Sequence, residues 1–237
     1  MFLCNLKKKE EYLKEHDIIN TMLEDDNYDE KIFATHKWLL ESVEKRMIYW
    51  NIYKDLLFLN NGRSSILDVG GGFSSLTKKM LKHNDYHLLD IMAHDDIERI
   101  YEIESKHGVN FFINSDWNLF NIKDKYDIII ANDLFPNVDQ RLEMFLDKYL
   151  PYCDEMRLSL TYYNNNKSYK VKRVGADEVF NILAWDGTRL SRSLRKYKNK
   201  IINYNPDALL GGDESIFANG RQVCVVRVKG DSSFGAY

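Results

Sequence analysis

Three consecutive glycines follow an acidic residue in the stretch SSILDVGGGFSSLT, residues 64–77. Asp68 precedes Gly70, Gly71 and Gly72, and small hydroxylated residues come soon afterwards. Because glycine carries no side chain, a bound molecule can approach the main chain closely there. A loop of this kind suits a dinucleotide, a nucleoside triphosphate or another adenosine compound. The loop alone does not say which of these three it binds.

The residues after the loop distinguish between these ligands. A phosphate-binding P-loop needs Lys followed by Ser or Thr, whereas Phe73-Ser74-Ser75 stands here. The dinucleotide pattern needs a third glycine where Ser75 lies, so that pattern is incomplete. An acid two residues before Gly70 fits S-adenosylmethionine, because a carboxylate attracts the cationic amino-acid part of that ligand. Tight strand-to-helix packing alone would also account for the glycines.

Two further acids follow later apolar runs. Asp90 ends YHLLD (86–90), where a carboxylate can accept hydrogen bonds from both ribose hydroxyls. Asp116, within 114–117, can accept from an adenine amino group while an aromatic neighbour covers the ring. Either acid could instead cap the turn or helix after it. The predicted cofactor residues are Asp68, Gly70, Gly71, Gly72, Asp90, Ile91, Met92, Ser115, Asp116, Trp117 and Asn132.

The elements that must position these residues alternate between strand and helix from Ser65 onwards. Short apolar runs predict strands, and amphipathic segments predict helices. The predicted strands are 65–69, 86–90, 110–114, 126–132, 155–163, 199–204 and 221–229. The predicted helices are 75–83, one within 94–106, 139–150 and 176–197. Such alternation implies a parallel sheet covered by helices on both faces.

The first sixty residues or so differ from the rest, because their apolar residues follow helical spacing without strand alternation. An Asn-Asn-Gly cluster that ends at Gly62 closes this stretch. We therefore expect an N-terminal cap of two or three helices over residues 1–62. A cofactor-binding domain is expected over residues 63–237.

Residues 64–163 resemble class I S-adenosylmethionine-dependent methyltransferases. The glycine loop, Asp90, Asp116 and the segment YDIIIANDLFPNVDQRLEMFLDKYL occur in the order typical of that family. The resemblance implies an α/β, Rossmann-like fold with a seven-stranded, mostly parallel sheet and an antiparallel last strand. In that fold the segments 199–204 and 221–229 would form the closing pair.

The same resemblance implies S-adenosyl-L-methionine as cofactor and S-adenosyl-L-homocysteine as product. Two positions depart from the family pattern. Ser74 stands where glycine is common, and Pro136 stands where many relatives carry a histidine, which bears on the mechanism. The chain is also loosely similar to bacterial methyltransferases that modify small molecules and capsule polysaccharides.

Methyl transfer requires mainly alignment and desolvation, so a general base is optional. Asn132 and Asp133, where the fourth strand ends, are the first catalytic candidates. Asp133 would orient an acceptor hydroxyl or take its proton, and Asn132 would contact the methionine part or the acceptor. His36, in the cap, is the third candidate, although a structural role suits it as well. The alternative for Asn132 and Asp133 is a loop that caps the next helix.

Two pairs of residues are predicted to contact the acceptor. Tyr162 and Tyr163 end the fifth strand, as walls or hydrogen-bond donors. Arg189 and Arg192, with Arg195, are spaced three apart along the late helix, and guanidinium groups suit phosphate. A solvated basic face accounts for these arginines equally simply. Three cations of the cap could serve similarly: Lys37, Lys45 and Arg46.

Composition limits the partners. The 237 residues carry a net charge of −3, from 33 basic and 36 acidic residues, which argues against nucleic acid and anionic membrane surfaces. Three scattered cysteines without metal-ligand spacing predict a reducing compartment, no disulfides and no metal. No apolar run is long enough to span a bilayer, so a cytoplasmic location is expected.

Taken together, these features predict O-methylation of a small molecule that is phosphorylated or linked to a nucleotide or sugar. A capsule or phosphoramidate pathway is the loosest part of that expectation, and a homodimer stays open. Three alternatives stay open as well. They are an N-methyltransferase of a sugar amine, a non-catalytic S-adenosylmethionine-binding partner, and an NAD-linked oxidoreductase, which Ser75 disfavours.

Overall fold

The computed structural model describes residues 1–24, 32–58, 62–135, 141–165, 167–172, 179–211 and 214–231. The N-terminal part contains β1 (Phe2–Leu3), α1 (Leu6–Lys14), α2 (Ile18–Glu24), α3 (Ala34–Glu41) and α4 (Val43–Tyr53). The following strands are β2 (Ser65–Val69), β3 (Asp85–Asp90), β4 (Phe112–Asn114), β5 (Tyr126–Ala131), β6 (Cys153–Tyr163), β7 (Lys167–Lys172), β8 (Val179–Ala184) and β9 (Arg221–Lys229). The following helices are α5 (Ser75–His83), α6 (Ile97–His107), α7 (Arg141–Tyr149) and α8 (Gly187–Leu194), with 3-10 turns at Leu150–Tyr152, Arg195–Tyr197 and Pro206–Leu209.

Seven strands form one sheet in the order β1-β9-β6-β5-β2-β3-β4. The strands β2 to β6 run parallel to one another, whereas β9 is antiparallel to both of its neighbours, β6 and β1. The predicted fold class, a mostly parallel seven-stranded sheet with helices around it, is confirmed. Because β2 lies between β3 and β5, the chain order reverses there. Open α/β sheets bind ligands at such a reversal, outside the carboxyl ends of the strands.

The core lies on both faces of the sheet, because successive side chains of a buried strand point to opposite faces. Ile66 of β2 packs in a cluster with α1 to α6, and its neighbour Leu67 packs in a second cluster with α7 and α8. The N-terminal helices therefore share one hydrophobic cluster with the sheet. No helix in the described ranges is long and apolar enough to cross a membrane.

A buried arginine fixes α4 over the sheet. Arg157 of β6 is 3% exposed in its side chain, and it forms ion pairs with Asp55 and Glu155 at 2.7 Å and 2.6 Å. Its guanidinium also donates to the carbonyl oxygen of Ile52 in α4, at 2.7 Å. Removing one partner from a buried ion pair is strongly destabilising, so these contacts hold α4 in one position on the sheet.

One of the two strands that were predicted to close the sheet does not exist in the structure. Residues 199–204 do not form a strand, and only Ile201 makes an isolated bridge to Val228. The seventh strand is β1, which pairs with β9 through Phe2 and Leu3. The expectation that the N-terminal sixty residues lack a strand therefore fails. A two-residue strand is too short to show any alternation of polar and apolar residues.

The predicted helix over 176–197 was also wrong in its first half. The strand β8 occupies Val179–Ala184 and pairs antiparallel with β7 in a separate two-stranded sheet. The helix α8 begins only at Gly187, where the Asp186 carboxylate accepts a hydrogen bond from the Arg189 N–H at 2.8 Å and caps the first turn. The described part of the N-terminal region holds four helices rather than two or three.

Candidate active site

A cavity of about 420 Å³ lies between the carboxyl edge of the sheet and the helices α3 and α4. The sheet contributes the glycine loop and the residues that follow β3 and β5, together with parts of β6 and β9. Its polar lining from these strands and loops includes Asp90, Asn132, Asp133, Ser159 and Arg221. The two helices contribute Thr35, Trp38, Leu39, Lys45, Ile48 and Tyr49.

The glycine loop is packed tightly by the protein itself. Gly70 and Gly72 have positive φ angles of 71° and 64°, which glycine adopts at no steric cost. A Cβ added at Gly72 would lie 2.0 Å from the Thr35 hydroxyl oxygen, and one at Gly70 would lie 2.7 Å from a Leu134 methyl carbon. Close packing, the plainer of the two sequence-based explanations, therefore accounts for these two glycines at least in part.

Three backbone N–H groups of this loop already have acceptors within the protein. The Gly70 N–H donates to the carbonyl of Leu89 at 2.8 Å, and the Gly72 N–H donates to the Asp90 carboxylate at 3.0 Å. The Ser74 N–H donates to a threonine hydroxyl in the first turn of α5 at 3.1 Å. A phosphate-binding loop offers these groups to its ligand. The loop is therefore poorly suited to a pyrophosphate.

Asp68 lies buried beneath the loop rather than in the cavity lining. The hydroxyls of Tyr53 and Tyr86 donate to its Oδ2 at 2.9 Å and 2.8 Å. Its Oδ1 is buried and has no hydrogen-bond partner among the described residues. Burial, despite these two hydrogen bonds, raises the pKa of Asp68 to about 7. One carboxylate oxygen is thus left to accept from a cationic donor.

Asp90 lines the cavity at the end of β3. Its two oxygens accept the N–H groups of Gly72 at 3.0 Å and of Met92 at 2.8 Å, so it fixes both loops. A carboxylate oxygen has a second lone pair, so each can accept one further hydrogen bond. Met92, in the lining as well, has a positive φ of 48°. Ile91, by contrast, is 41% exposed and outside the lining.

Asn132 and Asp133 meet β6 at the middle of the cavity. The Asp133 N–H donates to the Ser159 hydroxyl at 2.7 Å, and that hydroxyl donates to Oδ1 of Asn132 at 2.9 Å. Asp133 has a positive φ of 58°, an uncommon backbone conformation that Asp and Asn tolerate best among residues with a side chain. Lys45 of α4 places its Nζ 3.7 Å from the Asp133 carboxylate.

Two cations enter the same cavity from different elements. Lys45 lies with its Nζ 4.7 Å from the ring centroid of Trp38. Arg221, at the start of β9, stacks on Phe217 at 4.0 Å, and its Nε is buried without a hydrogen-bond partner among the described residues. Lys45 was among the cations noted in the sequence. Arg221 was missed, because no local pattern marks a residue that antiparallel pairing brings to the site.

No protein-family profile matches the chain, and no curated protein does. Several solved structures, however, match the chain. DhpI in complex with SAH shares 12% identity, with a TM-score of 0.50 over 94% of this chain and 97% of that one. An S-adenosylmethionine-dependent methyltransferase from Clostridium acetobutylicum shares 14%, with a TM-score of 0.44 over 92% and 99%. A Burkholderia thailandensis 1,6-didemethyltoxoflavin-N1-methyltransferase bound to S-adenosylhomocysteine shares 12%, with a TM-score of 0.49 over 94% and 86%.

The chain has the fold of class I S-adenosylmethionine-dependent methyltransferases. The resemblance seen in the sequence is thus confirmed at the level of the fold. Within this methyltransferase fold, the structure brings the glycine loop, Asp90, Met92, Asn132 and Asp133 together around one cavity. Asp68 supports that cavity from beneath.

The cavity lining of the methyltransferase fold does not include the residues predicted after β4. The Asp116 carboxylate accepts the N–H of Asn118 at 2.7 Å, which is the turn-capping alternative. Trp117 packs edge-to-face on Phe135 and Phe145 in the cluster formed with α7 and α8, on the face opposite α3 and α4. Ser115 is half-buried beside them. The adenine contacts predicted for these residues are therefore not supported by their position.

His36 and the tyrosine pair also lie outside the cavity lining. His36 is completely buried, with its Nδ1 3.5 Å from the Ser75 hydroxyl at the start of α5. Its place is thus in the packing between α3 and α5. Tyr162 is buried in the cluster on the opposite face, and Tyr163 is buried with the Lys167 ammonium 4.8 Å from its ring centroid.

The two predicted acceptor arginines are exposed on α8, which packs on the face of the sheet opposite α3 and α4. Arg189 lies 5.9 Å from the ring centroid of Trp185, and neither Arg189 nor Arg192 lines the cavity. Their position agrees with the solvated basic face that the sequence left open. Of the three cations noted in the cap, only Lys45 lines the cavity, whereas Arg46 pairs with Asp17 at 2.8 Å.

Proposed function

We propose that this protein is an S-adenosylmethionine-dependent methyltransferase whose acceptor is the hydroxyl group of a small molecule. One observation carries the proposal. The glycine loop, Asp90 and Asn132 line a single cavity at the strand-order reversal, and the N–H groups of Gly70, Gly72 and Ser74 are already bonded within the protein. This combination suits an adenosine ligand that has no phosphates.

The residues of this chain offer a fitting partner to each part of that cofactor. Asp90 has lone pairs left for ribose hydroxyls, and Met92 provides an apolar surface for an adenine ring. The unpartnered Oδ1 of Asp68 lies beneath the loop, where it would attract an ammonium group. Asn132 would contact the methionine part. When bound, S-adenosylmethionine supplies an electrophilic methyl group on a sulfonium.

Asp133 is the residue that we propose to act on the acceptor. Its carboxylate lines the cavity, and its backbone is fixed by the Ser159 hydroxyl. It would orient the acceptor hydroxyl and accept its proton, while Asn132 and Ser159 maintain the loop. The helices α3 and α4 would exclude water from the reacting groups, which is the role proposed for the cap over residues 1–62.

Calorimetric titration with S-adenosylhomocysteine and with NAD tests the cofactor. We expect S-adenosylhomocysteine to bind and NAD to bind at least about tenfold more weakly, because the loop has few free N–H groups for a pyrophosphate. Binding of NAD without binding of S-adenosylhomocysteine would refute the proposal. Incubation with isotopically labelled S-adenosylmethionine and a metabolite extract then tests turnover. A labelled small molecule is the expected product, and the capsule pathway stays a prediction.

A further inference from the structure

We infer that the methyl acceptor carries an acid group, a carboxylate or a phosphate, which is held between Lys45 and Arg221. This inference rests on the proposed function, because it assigns the part of the same cavity that the cofactor residues leave open. It names a chemical class of acceptor, and it differs from the sequence-based expectation in the residues that bind it.

The strand order separates the two ends of the cavity. Asp90 follows β3, the glycine loop follows β2, and Asn132 follows β5, so the cofactor residues span three neighbouring strands. Ser159 belongs to β6, and Arg221 begins β9, which are the next two strands. From β3 to β9 there are four strand spacings of about 4.8 Å, or about 19 Å in all. Arg221 therefore lies at the end away from Asp90.

The charged side chains of the cavity are also divided between its two ends. Asp68 and Asp90 lie at the cofactor end, where their negative charges would favour a cationic sulfonium and ammonium. Arg221 stands at the other end, where it begins β9. Its Nε is buried without an acceptor among the described residues, although a buried N–H donor normally has one. An anionic ligand would supply the missing acceptor.

Lys45 completes the pair from α4. Its contact with Asp133, at 3.7 Å, is loose, and its side chain is 28% exposed. Burial lowers the pKa of Lys45. The negative charge of Asp133 raises this pKa, and the positive charge of Arg221 lowers it further. The two cations are thus close enough to repel each other in a partly desolvated cavity. A carboxylate or phosphate between them would relieve this repulsion and accept hydrogen bonds from both.

The acid group serves recognition rather than attack. An oxygen that accepts hydrogen bonds from two cations has its lone pairs engaged and is a weak nucleophile. The methylated atom is therefore a different group of the same molecule, one that reaches Asp133 in the middle of the cavity. An acceptor with a hydroxyl at one end and an acid group at the other fits both requirements.

Probe binding to the S-adenosylhomocysteine-saturated protein tests this inference. Benzoate and phenyl phosphate serve as anionic probes, and benzamide is the neutral counterpart. We expect at least one anion to bind tenfold or more tightly than benzamide, and the tighter anion identifies the preferred acid. Arg221→Gln and Lys45→Gln should each weaken anion binding at least tenfold. Arg99→Gln, which removes an exposed arginine paired with Glu102 on α6, should leave it unchanged.

Several outcomes would overturn the inference. Equal binding of benzamide and of both anions would do so, as would an unchanged anion affinity in Arg221→Gln with its melting temperature preserved. The inference is also wrong if that variant no longer binds S-adenosylhomocysteine but still binds 5′-methylthioadenosine, which lacks the amino-acid part. In that case the cations hold the carboxylate of the cofactor. Should Arg221→Gln unfold, Lys45→Gln provides the same test, and an unchanged anion affinity in a folded Lys45→Gln protein counts against the inference.

The proposed function fails by a different result. If S-adenosylhomocysteine does not bind the wild-type protein while the anionic probes still do, the cofactor assignment is wrong and the anion site stands. If S-adenosylhomocysteine binds and the anions do not, the cofactor assignment stands and the anion site is wrong.

Discussion

Asp133 combines a proposed functional position with a costly backbone conformation. A residue with a side chain and a positive φ stores about 1–3 kcal/mol, and such residues cluster at functional sites. Here the Asp133 N–H is held by Ser159 at 2.7 Å, and the side chain lines the cavity beside Lys45. The strain therefore coincides with the position where we propose that the acceptor meets the cofactor.

Asp133→Asn separates the charge of this residue from its backbone. Asn tolerates a positive φ as well as Asp does, so the loop should keep its shape. If Asp133 accepts the acceptor proton, the variant should lower turnover by about 10²–10⁴-fold with an unchanged affinity for S-adenosylhomocysteine. Label transfer to the extract-derived acceptor measures the first quantity, and calorimetry measures the second. Wild-type turnover in this variant would remove Asp133 from the reaction.

Asp90→Asn tests the ribose contact. An amide has one acceptor oxygen, so the variant must give up either a loop N–H or a ribose hydroxyl. We expect S-adenosylhomocysteine to bind about 10- to 100-fold more weakly, as the loss of one or two charged hydrogen bonds implies. Asp96→Asn is the matched control, because Asp96 caps α6 nearby and does not line the cavity. Equal affinities in the two variants would contradict the ribose assignment.

At the scale of elements, the cap and the glycine loop depend on each other. The helix α3 brings Thr35 against Gly72, and Lys45 of α4 reaches the end of β5. A change in the glycine loop should therefore affect the packing of the cap helices. The described contacts make α3 and α4 part of the site rather than a cover beside it.

Gly72→Ala measures that dependence. The new Cβ would lie 2.0 Å from the Thr35 hydroxyl oxygen, and φ is 64°. Gly108 has nearly the same φ, 65°, with nothing within 4 Å, so Gly108→Ala reports the backbone cost alone, about 1–2 kcal/mol. We expect Gly72→Ala to lower the free energy of unfolding by a further 1–3 kcal/mol or so, as overpacking does. Thr35→Ala should recover part of it, and equal losses in the two glycine variants would exclude the clash.

The elements that the sequence predicted well are those whose pattern is local. The strand runs at 65–69 and 221–229 and the helix at 75–83 have the predicted bounds, since apolar periodicity and the flanking turns define them. The strands β1, β7 and β8 were missed. The strand β1 has only two residues, and β7 pairs only with β8 in the separate sheet. The strand β8 was merged with α8 because Asp186, the residue that caps α8, was taken as a helix interior.

For the whole molecule, the proposed cofactor end of the cavity could be predicted from local sequence patterns, whereas the proposed acceptor end could not. Acids at the tips of successive parallel strands can be read in chain order, and Asp90 and Asp133 do line the cavity. Trp38 and Arg221 reach it only because α3 packs over the loop and because β9 runs antiparallel. These are tertiary relations between segments far apart in sequence, and no short pattern encodes them.

We expect Asp68 to couple stability, pH and cofactor binding in the whole molecule. Its pKa is raised from 3.8 to about 7 in the folded protein. Between these values the folded state therefore binds more protons than the unfolded state, and this group's contribution to stability falls as pH rises. Above about pH 7 both states are ionised and the contribution stays constant. Asp68→Asn should remove this fall, so its stability relative to wild type should increase from about pH 4 to pH 7.

Folding favours the protonated form of Asp68, whereas cofactor binding should favour the ionised form. An ammonium group near Oδ1 favours the ionised carboxylate, so S-adenosylhomocysteine binding at about pH 6 should release up to about one proton. Calorimetry in buffers of different ionisation enthalpy measures that number, and the affinity should rise with pH until about pH 7. The Asp68→Asn protein should release no such proton and show a flat affinity over this range. Equal proton release by the two proteins would mean that Asp68 does not contact the ammonium group, and the amino-acid end of the cofactor would then lie elsewhere in the cavity.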